Sequence, residues 1–297
     1  MTSILIPVYN YDVRTLVAEL LRQIRDVEEE CEIICFDDAS DDKFLNLNKE
    51  IAGLDNVLYT ELETNLGRAK IRNRLAAAAS GDYLIFIDSD VSILAGDFVR
   101  RYIESIGECE VVVGGLAYTP DRPEEQRKLL RWKYGMEREQ LSAKTRSENP
   151  YFTFLGSNFL ITKQLLMGIK FDETFERRYG YEDILLGLKL KDLGINILHI
   201  DNPVQHDGLE SAEEYLHKVD ESVQNLAMLI REDKLDQGVR LMRTYQILKG
   251  FGARKLFSIC YRKNKDKWIA NLKSDNPNIR NLDMYKLGKL IEEMAVK

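Results

Sequence analysis

The sequence lacks any run of about 18 apolar residues, which excludes a membrane-spanning helix. Its first residues enter an apolar, strand-like run without a basic leader, so we expect no secretory signal. Cysteine is scarce, and the four cysteines at positions 31, 35, 109 and 260 show neither a disulfide nor a metal-ligand spacing. We therefore expect buried thiols in a reducing compartment rather than a redox or zinc site.

A glycine-rich loop is missing after the first predicted strand, where residues 7–12 read Pro-Val-Tyr-Asn-Tyr-Asp. A dinucleotide dehydrogenase needs G-x-G-x-x-G at this point, and a P-loop enzyme needs G-x-x-x-x-G-K-[ST]. Neither pattern is present, so both classes are excluded. A sugar nucleotidyltransferase would also be expected to carry a glycine-rich loop here, which counts against that class.

The charge of the chain is unevenly distributed. The 297 residues are 44% hydrophobic and 31% charged, as in an ordinary folded protein, and the net charge is -7. Residues 240–273 hold ten Lys or Arg and one acid, which gives +9. Because residues 274–297 sum to zero, the first 239 residues carry -16. An acidic body of this kind does not suit nucleic-acid binding, and we expect no nucleic-acid partner.

Strand and helix patterns alternate along the first part of the chain. Short apolar runs typical of buried parallel strands occupy residues 3–8, 32–36, 56–59, 83–87 and 110–114. Helical spacing of apolar residues, or alanine-rich composition, occupies residues 13–24 and 67–79. This order predicts an α/β fold with a mostly parallel sheet and helices on both of its faces.

The second half of the chain reads less regularly. Residues 124–146 are charged and helical, residues 152–161 are apolar and β-like, and residues 182–193 and 195–200 read as a helix and a strand. From Ser211 onward helical patterning dominates. We predict two domains, an α/β domain over residues 1–209 and a partly basic helical extension over residues 210–297.

Polar residues follow three of the predicted strands, at residues 7–10, 37–40 and 88–90. In an open parallel sheet, ligands bind beyond the carboxyl ends of the strands. The sequence therefore predicts a polar ligand pocket along this edge of the sheet.

Two pairs of acids lie where they could perform chemistry. Asp88 and Asp90 follow a strand and could both reach one hard cation, Mg²⁺ or Mn²⁺, although a polar turn would use the same residues. Glu182 and Asp183 begin a helix, where acids also stabilise the helix dipole. A carboxylate in that place could instead serve as a general base, and His206 could be a third metal ligand.

Seven short motifs, in this order, resemble the inverting nucleotide-sugar glycosyltransferases of family two, which have the GT-A fold. The resemblance covers about residues 2–209, and residues 210–297 match no pattern of the family. The motifs are Ile6–Asn10, Asp37–Ser40, Asn65–Asn73, Gly81–Tyr83 with Asp88–Asp90, Gly156–Phe159, Phe171–Glu173 and Gly180–Asp183.

The resemblance implies a role for each matching residue. Asp183 would be the catalytic base, and its neighbour Glu182 would bind the acceptor. The implied donor-binding residues are Pro7, Val8, Tyr9, Asp37, Asp38, Asn65, Arg72, Asp88 and Ser89. Among them, Asp38 would accept a hydrogen bond from the nucleotide's base, such as uracil. The implied metal ligands are Asp90, Asp88 and His206, and the acceptor would be bordered by Gly156, Ser157 and Asn158.

The implied reaction is a direct displacement at the anomeric carbon, with Mn²⁺ or Mg²⁺ holding the departing diphosphate. The implied donor is a nucleotide sugar, with a UDP-sugar favoured, and the implied acceptor is a glycan or lipid-linked glycan. A processive synthase is excluded, because Gln126 and Arg131-Trp132 have the wrong spacing and precede Glu182. A catalytically inactive relative that serves as a scaffold or glycan-binding module stays open as an alternative.

The basic segment 240–273 allows two interpretations. If it is helical, Leu256, Phe257, Cys260 and Tyr261 share one face with basic residues around it, and such a stretch can lie on an anionic membrane. The segment could instead pack on the acidic body and offset its charge, which is the simpler explanation. We expect a cytoplasmic protein, with peripheral contact at the inner face of the membrane as the first of these interpretations.

Overall fold

The computed structural model describes residues 1–174, 179–235 and 238–295. Contacts group the described residues into two compact units. The first unit contains residues 1–117, 140–174 and 182–208, and the second contains residues 118–139, 179–181, 209–235 and 238–295. Residues 118–139, which the sequence placed in the α/β domain, therefore group with the C-terminal part, and the predicted domain limits at residue 209 stay a prediction.

The first unit is built on two sheets. In chain order the strands are β1 Thr2–Val8, β2 Cys31–Asp37, β3 Val57–Glu61, β4 Tyr83–Ile87, β5 Val91–Ile93, β6 Val111–Val113, β7 Leu116–Ala117, β8 Asn158–Thr162, β9 Ile197–His199 and β10 Val204–His206. Seven strands form the main sheet in the order β3-β2-β1-β4-β8-β6-β9, and β5, β10 and β7 form a small second sheet.

Only β8 runs against the other strands of the main sheet. The sheet is therefore mostly parallel, as the alternating sequence pattern predicts. The strands of the small sheet have two or three residues each, too few to show a periodic pattern, and the sequence did not indicate the strand that contains His206.

Twelve α-helices accompany these strands in the described residues. They are α1 Arg14–Ile24, α2 Asp42–Asn48, α3 Arg68–Ala78, α4 Phe98–Glu104, α5 Leu129–Tyr134, α6 Ala143–Ser147, α7 Lys163–Ile169, α8 Glu182–Asp192, α9 Ala212–Arg231, α10 Arg240–Gly250, α11 Arg254–Leu272 and α12 Ile279–Glu293. The stretch 124–146, predicted as one charged helical region, is divided into a 3₁₀ turn, α5, a π turn at Gly135–Glu139 and α6.

Aromatic rings fill the core of the first unit. Phe86 of β4 and Phe159 of β8 stack with ring centroids 4.9 Å apart, and Phe154 and Phe171 meet Phe159 edge-on. Such stacked and edge-on pairs add to the free energy gained by burying apolar area. This cluster fixes β4 against β8. Because the two strands are antiparallel, the segment that follows β4 is held beside the segment that precedes β8.

The second unit has its own apolar core, formed from α5, α9, α11 and α12. Tyr215, Tyr261 and Tyr285 are buried in it. Gly288 lets α12 approach the Tyr261 ring, because a Cβ at this position would collide with that ring. A capping box of Ser211 and Glu214 begins α9. Residues 210–235 and 238–295 contain helices and no strand, which agrees with the predicted helical extension.

The apolar face predicted for residues 256–261 is wrong. Tyr261 is fully buried in the core of the second unit and Phe257 packs against that core, whereas Leu256 and Cys260 are exposed. Two of the four residues, Phe257 and Tyr261, therefore belong to the buried side of α11, and the other two belong to its solvent-exposed side.

No helix in the described residues combines the length and the hydropathy required to cross a bilayer.

Candidate functional site

The carboxyl ends of β2, β1 and β4 lie side by side, because these strands are neighbours and run in parallel. The three polar segments predicted from the sequence therefore lie along one edge of the main sheet. The motif at residues 156–158 joins them at β8, since the backbone N–H of Asp88 donates to the carbonyl oxygen of Ser157 at 3.1 Å.

The end of β1 offers one accessible aromatic side chain. Tyr9 is exposed, Pro7 is half-buried, and Val8 is completely buried. The carbonyl oxygen of Val8 accepts a hydrogen bond from the backbone N–H of Asp38 at 2.8 Å. Tyr9 can therefore contact a ligand, and Val8 contributes through its backbone to the joining of the two strand ends.

The two acids at the end of β2 organise the loops around them. Asp37 accepts from the backbone N–H of Ser40 at 2.8 Å and from the Tyr59 hydroxyl at 3.2 Å. Asp38 accepts from the N–H of Leu66 at 2.7 Å through Oδ1 and from the N–H of Gly67 at 3.0 Å through Oδ2. Asp38 thus fixes the loop that leads into α3.

Asn65 completes this loop, because its side-chain amide donates to the carbonyl oxygen of Asp38 at 3.0 Å. Gly67 has φ of 82°, a left-handed conformation that glycine adopts without steric cost. The loop 65–67 is thereby held against the end of β2, so α3 begins beside this strand end.

Two arginines on one face of α3 meet Asp88. The buried Arg72 pairs with Oδ1 of Asp88 at 2.6 Å, and Arg68 lies 3.3 Å from Oδ2. Arg68 also reaches Glu182, with Nε 2.8 Å from Oε1. This chain of charges joins the end of β4 to the start of α8. Ser89, beside Asp88, is buried.

Asp90 lies beside a different group. The pairing of β5 with β10 places His206 opposite Val91, so His206 Nε2 lies 3.4 Å from Asp90 Oδ2. The backbone N–H groups of Asp207 and Gly208 donate to the carbonyl oxygen of Asp90 at 2.9 and 3.3 Å. A side chain at position 208 would collide with the Asp90 carboxylate.

The donor set at this point fits a hard divalent cation in part. A carboxylate oxygen and an imidazole nitrogen both suit Mn²⁺. Across residues 1–174, 179–235 and 238–295 there is no group of three His, Cys, Asp or Glu side chains placed so that they could hold a metal ion. Of the three predicted metal ligands, Asp90 and His206 lie together, whereas the Asp88 oxygens face arginines.

Asp183 has an unusual environment at the start of α8. Its Oδ2 accepts from the backbone N–H of Gly156 at 3.0 Å, while Oδ1 is buried and has no hydrogen-bond partner. Burial, and next the charge of Glu182, raise the pKa of Asp183 to about 6, against the opposing effect of Arg72 and Arg68. A carboxylate with a free buried oxygen and a raised pKa is suited to accept a proton.

The predicted acceptor residues divide into two kinds. Gly156 and Ser157 lie between Asp183 and Asp88, and Glu182 is held by Arg68. Asn158 is fully buried. It accepts from the Tyr102 hydroxyl at 2.6 Å and donates to the carbonyl oxygens of Gly115 and Asn202 at 2.8 and 2.9 Å. Asn158 therefore braces the fold and is not brought to the surface of the site.

Sequence reasoning missed Arg68 and Arg146. Arg68 could have been found, because residues four apart on a helix share one face and Arg72 was already a candidate. Arg146 is buried and donates to the carbonyl oxygens of Val113, Gly114 and Ile200 at 2.7 to 3.1 Å. No local pattern marks such a residue, since its partners are distant in sequence.

A mostly parallel α/β sheet with acids and arginines at its strand ends is the arrangement that the motifs of a nucleotide-sugar transferase predict. The model of the glycosyl transferase family 2 matches residues 3–167, more than half of the chain. The chain belongs to glycosyltransferase family 2, so the family predicted from the motifs is confirmed.

Curated relatives match part of the chain. The uncharacterized glycosyltransferase YfnE of Bacillus subtilis (strain 168) is 34% identical over 115 residues, which are 38% of this chain and 29% of the relative. The poly(ribitol-phosphate) beta-glucosyltransferase of Bacillus spizizenii is 37% identical over 105 residues, 34% of this chain and 16% of the relative. The chain thus spans less than a third of the length of either relative.

Solved structures share the fold over nearly the whole chain. TarS 1-349 of S. aureus has a TM-score of 0.54 at 20% identity, covering 99% of this chain and 88% of that one. The mannosyltransferase PcManGT of Pyrobaculum calidifontis, in complex with GDP-Man and Mn²⁺, has a TM-score of 0.58 at 14% identity, covering 100% and 86%. These likenesses confirm the predicted GT-A fold.

Proposed function

We propose that this glycosyltransferase moves a sugar from a nucleotide-sugar donor, with a UDP-sugar favoured, to a hydroxyl of a glycan or lipid-linked glycan, with inversion at the anomeric carbon. The observation that carries the proposal is the placement of Asp183. One of its oxygens is fixed by Gly156 and the other is buried without a partner. This carboxylate stands at the same edge of the sheet as the motifs that would bind the donor.

The proposed chemistry is a single displacement. Asp183 takes the proton of an acceptor hydroxyl as the hydroxyl oxygen forms a bond to the anomeric carbon. The bond from that carbon to the donor phosphate breaks, and its electron pair leaves with the nucleoside diphosphate. Glu182, held by Arg68, would orient the acceptor. Positioning and charge neutralisation supply most of the rate enhancement in such a step.

A divalent cation, Mn²⁺ or Mg²⁺, would be held by Asp90 and His206 and would neutralise charge on the departing diphosphate. Fold relatives offer support, since a glucosyl-3-phosphoglycerate synthase of Mycobacterium tuberculosis was solved with Mn²⁺ and UDP. Its TM-score is 0.52 at 20% identity, covering 80% of this chain and 82% of that one.

The preference for UDP depends on Asp38. Its two oxygens each accept one backbone N–H, and a carboxylate oxygen can accept a second hydrogen bond. It could therefore also accept the ring N–H of uracil, which cytosine lacks. Guanine and thymine carry ring N–H groups too, and PcManGT was solved with GDP-Man, so GDP and dTDP donors belong in the same test.

We also propose that the enzyme acts in the cytoplasm. All four cysteines are free. Cys31 and Cys35 are buried, as expected, whereas the expectation of a buried thiol is wrong for the half-buried Cys109 and the exposed Cys260. Unpaired thiols of this kind are typical of reducing compartments. Labelling of intact and lysed cells would check the location directly.

The proposal is tested by measuring donor hydrolysis and sugar transfer with UDP-, GDP-, dTDP- and CDP-sugars, with Mn²⁺ and with a chelator. We expect activity that requires the metal, with the least binding for CDP. Asp90→Asn should abolish transfer and weaken Mn²⁺-dependent UDP binding, whereas the exposed Asp55→Asn should behave as wild type. Glycan binding without hydrolysis or transfer of any donor would instead support an inactive glycan-binding module.

A further inference from the structure

The turn between α10 and α11 carries an unusual concentration of exposed apolar side chains. Ten large apolar residues of the described chain are exposed, and four of them fall within 13 consecutive positions, including the two most exposed. The exposed fractions are 85% for Phe251, 72% for Leu256, 54% for Ile259 and 51% for Ile247. Single exposed apolar residues need no explanation, but a contiguous group marks an interaction site.

The backbone fixes this group in place. The N–H of Ala253 donates to the carbonyl oxygen of Leu248 at 2.9 Å, and the N–H of Gly252 donates to that of Lys249 at 3.2 Å. With φ of 68° at Gly252, these are the bonds of a Schellman motif that ends α10. Phe251 is the residue that caps the end of α10, one turn after Ile247, and it points into solvent.

The opposite side of α11 is anchored. Tyr261 and Leu272 are buried in the core of the second unit, and Trp268 packs against that core. Leu256, Ile259 and Lys263 are spaced at three and four residues, so they form the outward stripe of the helix. The helix is therefore held by its aromatic side and presents an apolar and basic side to solvent.

Basic residues surround the apolar group and are not neutralised within the described chain. Lys249, Lys255, Arg262, Lys263 and Lys267 are exposed, and none of them forms an ion pair with a residue in the described ranges. By contrast, Lys273 pairs with Glu213 at 3.1 Å and Lys289 with Asp220 at 3.4 Å. A single exposed acid, Asp266, lies on the same helix.

We propose that the four exposed apolar residues and the five exposed cations together dock on the headgroup region of an anionic lipid bilayer. This α10–α11 surface consists of Ile247, Lys249, Phe251, Lys255, Leu256, Ile259, Arg262, Lys263 and Lys267. Phe251 and Leu256 enter the boundary between headgroups and acyl chains, and the five cations contact lipid phosphates. Apolar side chains ringed by Lys and Arg are the composition that such a surface selects. A second copy of the chain fits less well, because pairing this surface with itself would bring ten cations together.

The proposal is tested with the full chain by sedimentation with vesicles of phosphatidylcholine alone or with 30% phosphatidylglycerol, as a probe of stated charge. We expect binding to the anionic vesicles alone, weakened by raising the salt concentration. Each cation near such a surface contributes roughly fivefold to affinity. The triple charge reversal Lys255→Glu, Arg262→Glu and Lys263→Glu should therefore weaken binding roughly 100-fold.

The apolar part is tested separately by Phe251→Ser with Leu256→Ser, which should weaken binding roughly tenfold or more. The matched controls are Leu193→Ser and Lys144→Glu, which change an exposed leucine and an exposed lysine elsewhere and should leave binding unchanged. In Phe251→Trp, the fluorescence emission should shift to shorter wavelength when anionic vesicles are added, beyond any shift of the wild type.

Three results would overturn the proposal. They are equal binding to neutral and anionic vesicles, equal binding by the charge-reversal variant and the wild type, and a wild-type dimer that the two serine substitutions convert to a monomer without any vesicle binding. None of these measurements uses transfer activity, so their outcome does not depend on the proposed reaction.

Discussion

Two carboxylates of the first unit have opposite surroundings. Asp38, at the end of β2, accepts one backbone N–H on each oxygen, at 2.7 and 3.0 Å. Asp183, at the start of α8, accepts one N–H on Oδ2 and none on Oδ1, although Oδ1 is buried. Hydrogen bonds to the charged form stabilise it, whereas burial without such bonds opposes it. Asp38 is therefore satisfied, in the sense that each oxygen accepts a hydrogen bond. Asp183 is strained, in the sense that its charged form is buried with one oxygen unpaired.

The difference in surroundings distinguishes a carboxylate that holds the structure in place from one that takes part in the reaction. A satisfied carboxylate fixes the loop around it and can bind a ligand without changing its protonation state. Where burial makes the charged form of a carboxylate unfavourable, taking up a proton lowers the free energy. A general base must take up a proton in this way. Stability given up at one residue in this way is typical of active sites.

The largest expected effect is that of removing the base. Asp183→Asn keeps the shape and the bond from Gly156 but cannot take a proton, so transfer should fall about 10²–10⁴-fold. The affinity for UDP, measured by calorimetry, should change little, because the base acts in the chemical step. Asp192→Asn, an exposed acid at the other end of α8, is the matched control. A parallel loss of UDP affinity would place Asp183 in the donor pocket or in the fold.

A smaller effect is expected from moving the same carboxylate. A Cβ at position 156 would collide with Oδ1 of Asp183, so Gly156→Ala should push the carboxylate aside. Misplacement of a reacting group by about 1 Å can cost about 100-fold in rate. We expect transfer to fall by about this factor in a folded protein. Gly168→Ala, where a Cβ meets nothing within 4 Å, should retain full transfer, and equal activity of both variants would contradict the geometry.

The sequence predicted the long regular elements and the edge on which the site lies. Residues 83–87 match β4 without a shift, and residues 67–79 contain α3 with one extra residue at each end. These elements are long enough for apolar residues to show a period, and parallel strands must bring their carboxyl ends together. Local patterns alone therefore predicted that the three polar strand ends, two of which carry acids, lie along one edge of the sheet.

Contacts between distant residues were out of reach of that reasoning. The bond from Arg72 to Asp88 depends on how α3 packs on the sheet, and the approach of His206 to Asp90 depends on strands of three residues. Asn158 was expected at the acceptor and is buried instead, where it bonds to Tyr102, 56 residues earlier, and to Asn202, 44 residues later. Polarity in a motif does not distinguish a surface residue from a buried brace.

A third prediction compares one chemical change at both carboxylates. Asp38→Asn replaces an acceptor oxygen by an N–H₂ group, which would face the N–H of Leu66 or Gly67. The free energy of unfolding should fall by about 1–3 kcal/mol. Asp183→Asn should raise it by on the order of 1–2 kcal/mol at pH 7.5, since it removes a buried charge. Urea unfolding of both variants measures this, and a fall in both would show that Asp183 is not strained.

The smallest effect is a pH dependence that follows from the same strain. Because burial and Glu182 raise the pKa of Asp183 to about 6, the base is charged above this pH and protonated below it. The rate of transfer should therefore be level near pH 7.5 and fall about tenfold per pH unit below 6.

The stability should depend on pH in the opposite direction from the rate. The folded pKa of about 6 exceeds the ordinary value of 3.8, so the folded state holds this proton more tightly than the unfolded state. The contribution of Asp183 to stability is therefore favourable below pH 3.8 and is lost as the pH rises through 6. The stability advantage of Asp183→Asn over the wild type should appear over the same interval in which the wild-type rate rises. A rate profile that falls only near pH 4, with no such change in relative stability, would show an ordinary carboxylate and remove the contrast with Asp38.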